Sequence, residues 1–310
     1  MKKKDDSFAE QFADVKKLDG TEYIDIQPEK ESEKTPVILA PGWTRDMNTI
    51  PESLKVLHEE NRRVISLNHP RIAGDITGGK LNEKQDLYSM PKEILRRAES
   101  LRKLIDQTAK DTEEKKVSII GQSMGGMDAV VAAIMAENEN PGTIKSIVLI
   151  DPAGIMGKDS LFGSSGLAQR FVKDQIPENI AVMKSTTESA EAIQNQRVAG
   201  KQFFKYLAKN PLRAIKEVKA MTSVQIQDIL IELQNRGIGV SIIHGVDDKT
   251  FPMKNVQKNV RGEHATGFYS VKGRHNELFM HPEQYMDLAE EALSDLEKKQ
   301  TINKPNVRKK

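Results

Sequence analysis

Short apolar runs and longer stretches with apolar residues at helical spacing alternate along most of this chain. The runs at 36–40, 63–67, 117–120, 144–150, 239–244 and 268–271 are rich in Val, Ile and Leu, and 23–26 is a candidate first strand. Runs of four to seven apolar residues without polar alternation fit strands buried on both faces. Between them, 48–60, 90–109, 124–138 and 282–298 have helical periodicity. In 90–109, Ile94, Leu95, Ala98, Leu101, Leu104 and Ile105 share one face, as a core-facing helix requires. The pattern predicts an α/β fold: a mostly parallel central sheet with helices on both faces. One stretch departs from it. From 157 to 237 there is helical pattern and no strand signal. An insertion there would lie over the carboxyl ends of the strands, where open α/β sheets bind ligands. The expected organisation is a core of 1–156 and 238–300, a helical cap of 157–237, and a basic, flexible tail of 301–310. The first dozen residues and 27–35 are polar and expected to be mobile.

The strand at 117–120 runs into Gly121-Gln122-Ser123-Met124-Gly125-Gly126, and a helix follows at once. Strand, sharp turn and helix with a serine at the tip is the setting of a nucleophile elbow. There a strained backbone exposes the hydroxyl above the sheet. A Cβ at 121 or 125 would crowd strand against helix, which is why glycine is needed there. Ser123 is therefore read as a nucleophile.

Composition narrows the picture. The net charge is +2 from 47 basic and 45 acidic residues, a balance that does not predict a nucleic-acid surface. The start Met1-Lys2-Lys3-Lys4 has no apolar segment after it, so no signal peptide is expected, and no run is long enough to span a membrane. Zero cysteines exclude disulfides, thiolate metal sites and cysteine nucleophiles. A cytoplasmic location is expected. No His-x-x-x-His pair occurs, the Asp247-Asp248 doublet alone is no metal site, and Gly74, Gly78 and Gly79 lack the setting of a phosphate loop. The basic tail (Lys298, Lys299, Lys304, Arg308, Lys309, Lys310) reads as a solvated end.

Taken together, these residues resemble the α/β-hydrolase superfamily from about Tyr23 to Lys298, with the 157–237 insertion in the position of that family's cap. The resemblance implies the order nucleophile, acid, histidine. It places an oxyanion hole at Pro41-Gly42-Trp43-Thr44, with proline where the family usually has histidine, and implies backbone N–H donors at Trp43 and Met124. The family's Gly-x-x-Asp-x-x-x-Pro maps onto Gly245, Asp248 and Pro252 and favours Asp248 as the acid, with Asp247 and Asp151 as rivals. The histidine belongs in the loop after the last strand, where Gly273-Arg274-His275 stands. His58, His69, His244, His264 and His281 fall elsewhere in the order. After Leu67, Asn68 stands where many members carry an aspartate, and Arg71 in that loop is expected as a solvated residue, with a salt bridge to an acidic substrate the lesser reading. Met183, Met221, Phe203 and Phe204 are expected to be core of the cap, with an acyl pocket the lesser reading.

The expected activity is that of a serine hydrolase cleaving a carboxylic ester or thioester through an acyl-enzyme. The substrate is a small acyl compound and no cofactor is implied. Amidase, carbon–carbon hydrolase or acyltransferase chemistry would use the same residues, and a non-catalytic binding protein on this scaffold is the rival of another class.

Overall fold

The computed structural model describes residues 14–68, 90–157, 159–161, 166–184 and 189–302. Eight strands form one sheet: β1 (Lys16–Leu18), β2 (Thr21–Ile26), β3 (Val37–Ala40), β4 (Val64–Leu67), β5 (Val117–Gln122), β6 (Ile144–Ile150), β7 (Gly239–Gly245) and β8 (Gly267–Val271). Their order is β1-β2-β4-β3-β5-β6-β7-β8. From β4 to β8 every pairing is parallel, and the β1–β2 hairpin closes one edge antiparallel. The expectation of a first strand at 23–26 missed β1, whose Lys-Lys-Leu has no apolar alternation. The hairpin is made by Asp19 and Gly20, both at positive φ.

Helices cover both faces, and neighbouring residues within a strand serve different sides. Ile38 and Ala40 of β3 join the core under α2 (Lys92–Lys110) and α3 (Met124–Glu139). Val37 and Leu39 point into the other core, under α1 (Pro51–Glu59) and the helix Pro282–Ile302. This alternation explains why the strands read as unbroken apolar runs. The helix expected at 48–60 is broken: a 3-10 turn, Met47–Thr49, is capped by Asp46, and Pro51 then starts α1. Proline fits a first helical position but disfavours a helical conformation at the residue before it. The polar 27–35 stretch is a loop tied to the end of α1, where the Lys34 ammonium donates to the Glu60 carbonyl at 2.7 Å.

Between β6 and β7 the chain is helical, as its pattern indicates: α4 (Leu167–Arg170), a π-helical turn Phe171–Gln175, α5 (Ile176–Met183), α6 (Ala190–Lys209), α7 (Pro211–Ser223) and α8 (Gln227–Asn235). The last of these is no roof. Ile229, Leu230 and Leu233 of α8 are buried in the same core as Val240 and Ile242 of β7, so α8 belongs to the layer on the sheet. The expected boundary at 237 therefore runs about a dozen residues past the part that stands over the strand ends. α9 (Met253–Asn259) and α10 (Pro282–Ile302) complete the chain's helices among the described residues, and α10 extends beyond the expected end at 298. His69, Pro70, Arg71, Gly74, Gly78 and Gly79 lie outside the described residues, as does the tail from 303 onward.

Candidate active site

Every residue singled out for chemistry stands just past the carboxyl end of a strand: Trp43 after β3, Ser123 after β5, Asp151 after β6, Asp248 after β7 and His275 after β8. Parallel strands bring these ends to one edge of the sheet although they are far apart in sequence.

The elbow is built by exclusion. Ser123 has φ 53° and ψ −121°, a conformation L-residues avoid, while its N–H donates to the Ile150 carbonyl at 2.9 Å. It occupies the N-cap position of α3 but makes no side-chain cap, which leaves Oγ for other partners. A Cβ at Gly121 would lie 2.7 Å from the Gly125 carbonyl oxygen and the Gly126 Cα, the expected strand–helix clash. At Gly125 the reason differs from the one expected. A Cβ there would lie 2.3 Å from the Ala40 carbonyl oxygen and 2.4 Å from that of Pro41, so this glycine admits the end of β3. Gly42 does the reciprocal service, since its Cβ would come within 3.2 Å of Ser123 Cβ. Together these glycines let the Pro41–Trp43 turn lie against the elbow. Met124 opens α3, so its N–H has no acceptor within the helix.

His275 joins serine and carboxylate. Its Nε2 is 2.9 Å from Ser123 Oγ and its Nδ1 is 2.8 Å from Asp248 Oδ2. Asp248 is held by its other oxygen, which accepts the N–H groups of Thr250 at 2.7 Å and Phe251 at 2.9 Å. All three side chains are buried, and the Ser123 hydroxyl faces a cavity beneath the inserted helices. Burial presses the His275 pKa down. The Asp248 carboxylate, by charge and hydrogen bond, outweighs that with help from Asp151 and against Arg45, so the net direction is up.

The two rival acids are elsewhere. Asp247 is exposed. Asp151 is fully buried and meets His244, with its Oδ1 3.0 Å from His244 Nδ1 and accepting the Gly245 N–H at 2.8 Å. The other nitrogen of His244 is 2.8 Å from the Phe251 carbonyl. A carbonyl only accepts, so that nitrogen carries the proton. Burial favours neutral His244, whose pKa is lowered, and it raises that of Asp151 well above the usual range, with the Asp248 charge adding to the rise. Asp151, His244 and Asp248 are close enough for one ligand atom from each to converge. Yet Asp248 is already engaged by three donors and Asp151 Oδ1 by the Gly245 N–H, which makes a poor cation site. His264 accepts the Arg261 N–H, and His281 pairs with Glu277 at 3.4 Å.

A cavity of about 360 Å³ opens from Ser123 and His275 under α4 to α7. Met183, Met221, Phe203 and Phe204, expected chiefly as core, all line it, with Trp43 and Phe171. Helical spacing cannot separate a side chain packed on its neighbours from one facing a space between them. No Asp or Glu is among the lining residues that the structure describes. Arg45 lines it with its guanidinium 4.0 Å from the centre of the Phe279 ring and Nη2 donating to Gln196 Oε1 at 3.4 Å. A buried acid beside the site escaped the sequence reading. Glu217 of α7 accepts the Trp43 indole N–H at 2.8 Å, the Tyr206 hydroxyl at 2.5 Å and Arg213 Nε at 3.0 Å, tying the insertion to the turn after β3. Its only local sign is the i,i+4 spacing from Arg213.

Neither a sequence-family model nor a curated protein sequence matches the chain. Solved structures do. It is similar to a bromoperoxidase from Bacillus anthracis (TM-score 0.60, 16% identity, covering 89% of this chain and 95% of that one). It is also similar to a carboxylesterase structure from the thaumarchaeon Nitrososphaera gargenis (0.59, 17%, 92% and 98%) and to an esterase from Exiguobacterium antarcticum (0.60, 16%, 91% and 99%). At such identities the likeness speaks for architecture alone. With its eight-stranded sheet, its elbow serine and these structural counterparts, the chain has the α/β-hydrolase fold.

Proposed function

We propose that this protein is a serine hydrolase that cleaves carboxylic esters or thioesters of apolar acyl groups, with Ser123, His275 and Asp248 as its triad. The observation that carries the reading is the Ser123–His275–Asp248 relay, with both links at hydrogen-bond length, facing a largely apolar cavity with no carboxylate among its described lining residues. Ser123 Oγ attacks the acyl carbon while His275 Nε2 takes its proton. The oxygen that becomes negative is held by the N–H groups of Trp43 and Met124, and each such donor contributes about 3–4 kcal/mol. His275 returns the proton to the departing alcohol or thiol, leaving an acyl-serine. Water, deprotonated by His275, then releases the carboxylic acid. Asp248 orients the imidazole and balances its charge. Helices α4 to α7 act as a cap that keeps the acyl group out of water.

Esterases and carboxylesterases among the structural counterparts support this choice, and a bromoperoxidase of the same similarity shows that the fold alone does not make it. The test is intact mass after a fluorophosphonate probe, with turnover of short esters measured in parallel. Wild type should gain one covalent adduct and folded Ser123→Ala none, with turnover falling about 10³-fold or more. Unchanged turnover in the folded variant would end the proposal.

A further inference from the structure

The outer face of the insertion has a composition of its own. Between Arg197 and Lys219 the sequence has seven basic residues and a single acid, Glu217, although the whole chain nets only +2. Glu217 is turned inward and buried. From Arg197 onward the exposed positions of α6 are Arg197, Lys201, Phe204, Lys205, Ala208 and Lys209, spaced as one stripe, while Gln196, Ala199 and Tyr206 are buried. On α7 the outward stripe is Leu212, Ile215, Lys216 and Lys219, and Ala214, Ala220 and Met221 are buried.

The apolar members of these stripes are unusually open to water: Leu212 is 75% exposed, Phe204 62% and Ile215 56%. Of the seven large hydrophobic side chains exposed among the described residues, these three and Val172 and Ile180 belong to the insertion. Val172, Ile180 and Phe204 also line the cavity over Ser123. Part of the exposed apolar surface is thus also cavity wall, and Lys201 and Lys205 flank Phe204 on α6.

We propose that this face docks on a membrane surface bearing anionic lipid, with Lys and Arg at the headgroups and Phe204, Leu212 and Ile215 in the outer acyl region. Amphipathic helices with a basic polar part and large apolar residues lie in the plane of such an interface. A nucleic acid would be met by the charges alone. It gives no reason for exposed Leu and Ile, nor for an exposed Phe204 that also lines an apolar cavity. Docking of this kind presents the cavity mouth to the bilayer, where an acyl chain can pass in without crossing water.

The full chain is tested by co-sedimentation with vesicles of phosphatidylcholine containing phosphatidylglycerol, and of phosphatidylcholine alone. Binding is expected only to the anionic vesicles, weaker at higher salt. Affinity should fall about fivefold for each lysine neutralised in Lys205→Gln/Lys209→Gln/Lys216→Gln. Leu212→Ser/Ile215→Ser should weaken it as well, while both variants keep wild-type turnover of a water-soluble short-chain ester, which also reports that they fold. Ser123→Ala should bind vesicles like wild type, so docking is read apart from the catalytic proposal. No binding to anionic vesicles, or binding unaffected by both variants, would overturn the inference. So would retention on RNA that loses strength with the lysines and ignores Leu212 and Ile215, in the absence of vesicle binding.

Discussion

Ser123, His275 and Asp248 sit in a small electrostatic system in which each neighbour has a definite effect on the imidazole. Burial lowers the His275 pKa, Asp248 and Asp151 raise it and Arg45 opposes them, for a net rise above the ordinary value. A proton on folded His275 is therefore favoured relative to the unfolded chain. That contribution to stability is complete below the unfolded histidine pKa of about 6.5 and is lost as pH rises through the higher folded value. Catalysis needs the opposite form. The acid limb of kcat/KM should have its midpoint above about 6.5, and Arg45→Met should move it higher still; a pH–rate profile of the two proteins checks both. The acids are separated by the same logic. Asp248→Asn should lower kcat by about 10⁴, since an amide favours the wrong tautomer of His275. Asp151→Asn changes a side chain that lies against His244 and the Gly245 N–H and should stay within about tenfold of wild type, as steady-state kinetics will show. An equal collapse in both variants would contradict the assignment.

At the scale of elements, α10 carries much of one face of the molecule and is fastened by charge as well as by packing. Arg62, fully buried before β4, donates to both oxygens of Glu290 at 2.8 and 2.9 Å, to Glu297 at 3.0 Å and to the Thr35 carbonyl at 2.5 Å. Its partners lie on α10, whose Tyr285, Met286, Ala289, Leu293 and Leu296 pack under the sheet. Arg62→Met would leave two carboxylates without their guanidinium in a place where water cannot replace it. A loss of about 3–5 kcal/mol is expected in urea unfolding, with much of it recovered in Arg62→Met/Glu290→Leu/Glu297→Met. The glycines at the elbow act at this scale too, because Gly42 and Gly125 set how closely β3, β5 and α3 approach.

For the whole molecule, the decisive feature is the space between the sheet edge and the inserted helices. Its aromatic wall includes edge contacts of Trp43 with Phe171 at 6.1 Å and with Phe203 at 5.8 Å between ring centres. Filling this space should change selectivity before it changes chemistry. Met221→Trp should lower kcat/KM for longer acyl chains about tenfold or more relative to acetate esters, because an added ring forces overpacking of about 1–3 kcal/mol. A series of p-nitrophenyl esters measures it. An unaltered chain-length profile would mean the acyl group lies elsewhere.

Much of this was legible in the sequence because it is local. Periodicity records which sides of an element are buried, so strands, helices and the strandless insertion could be read from order alone. Gly-x-Ser-x-Gly between an apolar strand and a helix specified the elbow through the room a Cβ would need. Other features depend on residues distant in the chain, and tertiary structure alone settled them. Asp248 and Asp151 each follow a parallel strand with similar turn chemistry; lateral strand order puts one beside His275 and the other beside His244. Met183, Met221, Phe203 and Phe204 became cavity wall because α5 to α7 arch over the sheet edge, which no helical repeat encodes. Glu217 reaches Trp43 across 174 residues. An apolar or charged side chain reveals that it needs a partner, and only the packing of distant segments determines which partner it meets, or whether it meets one at all.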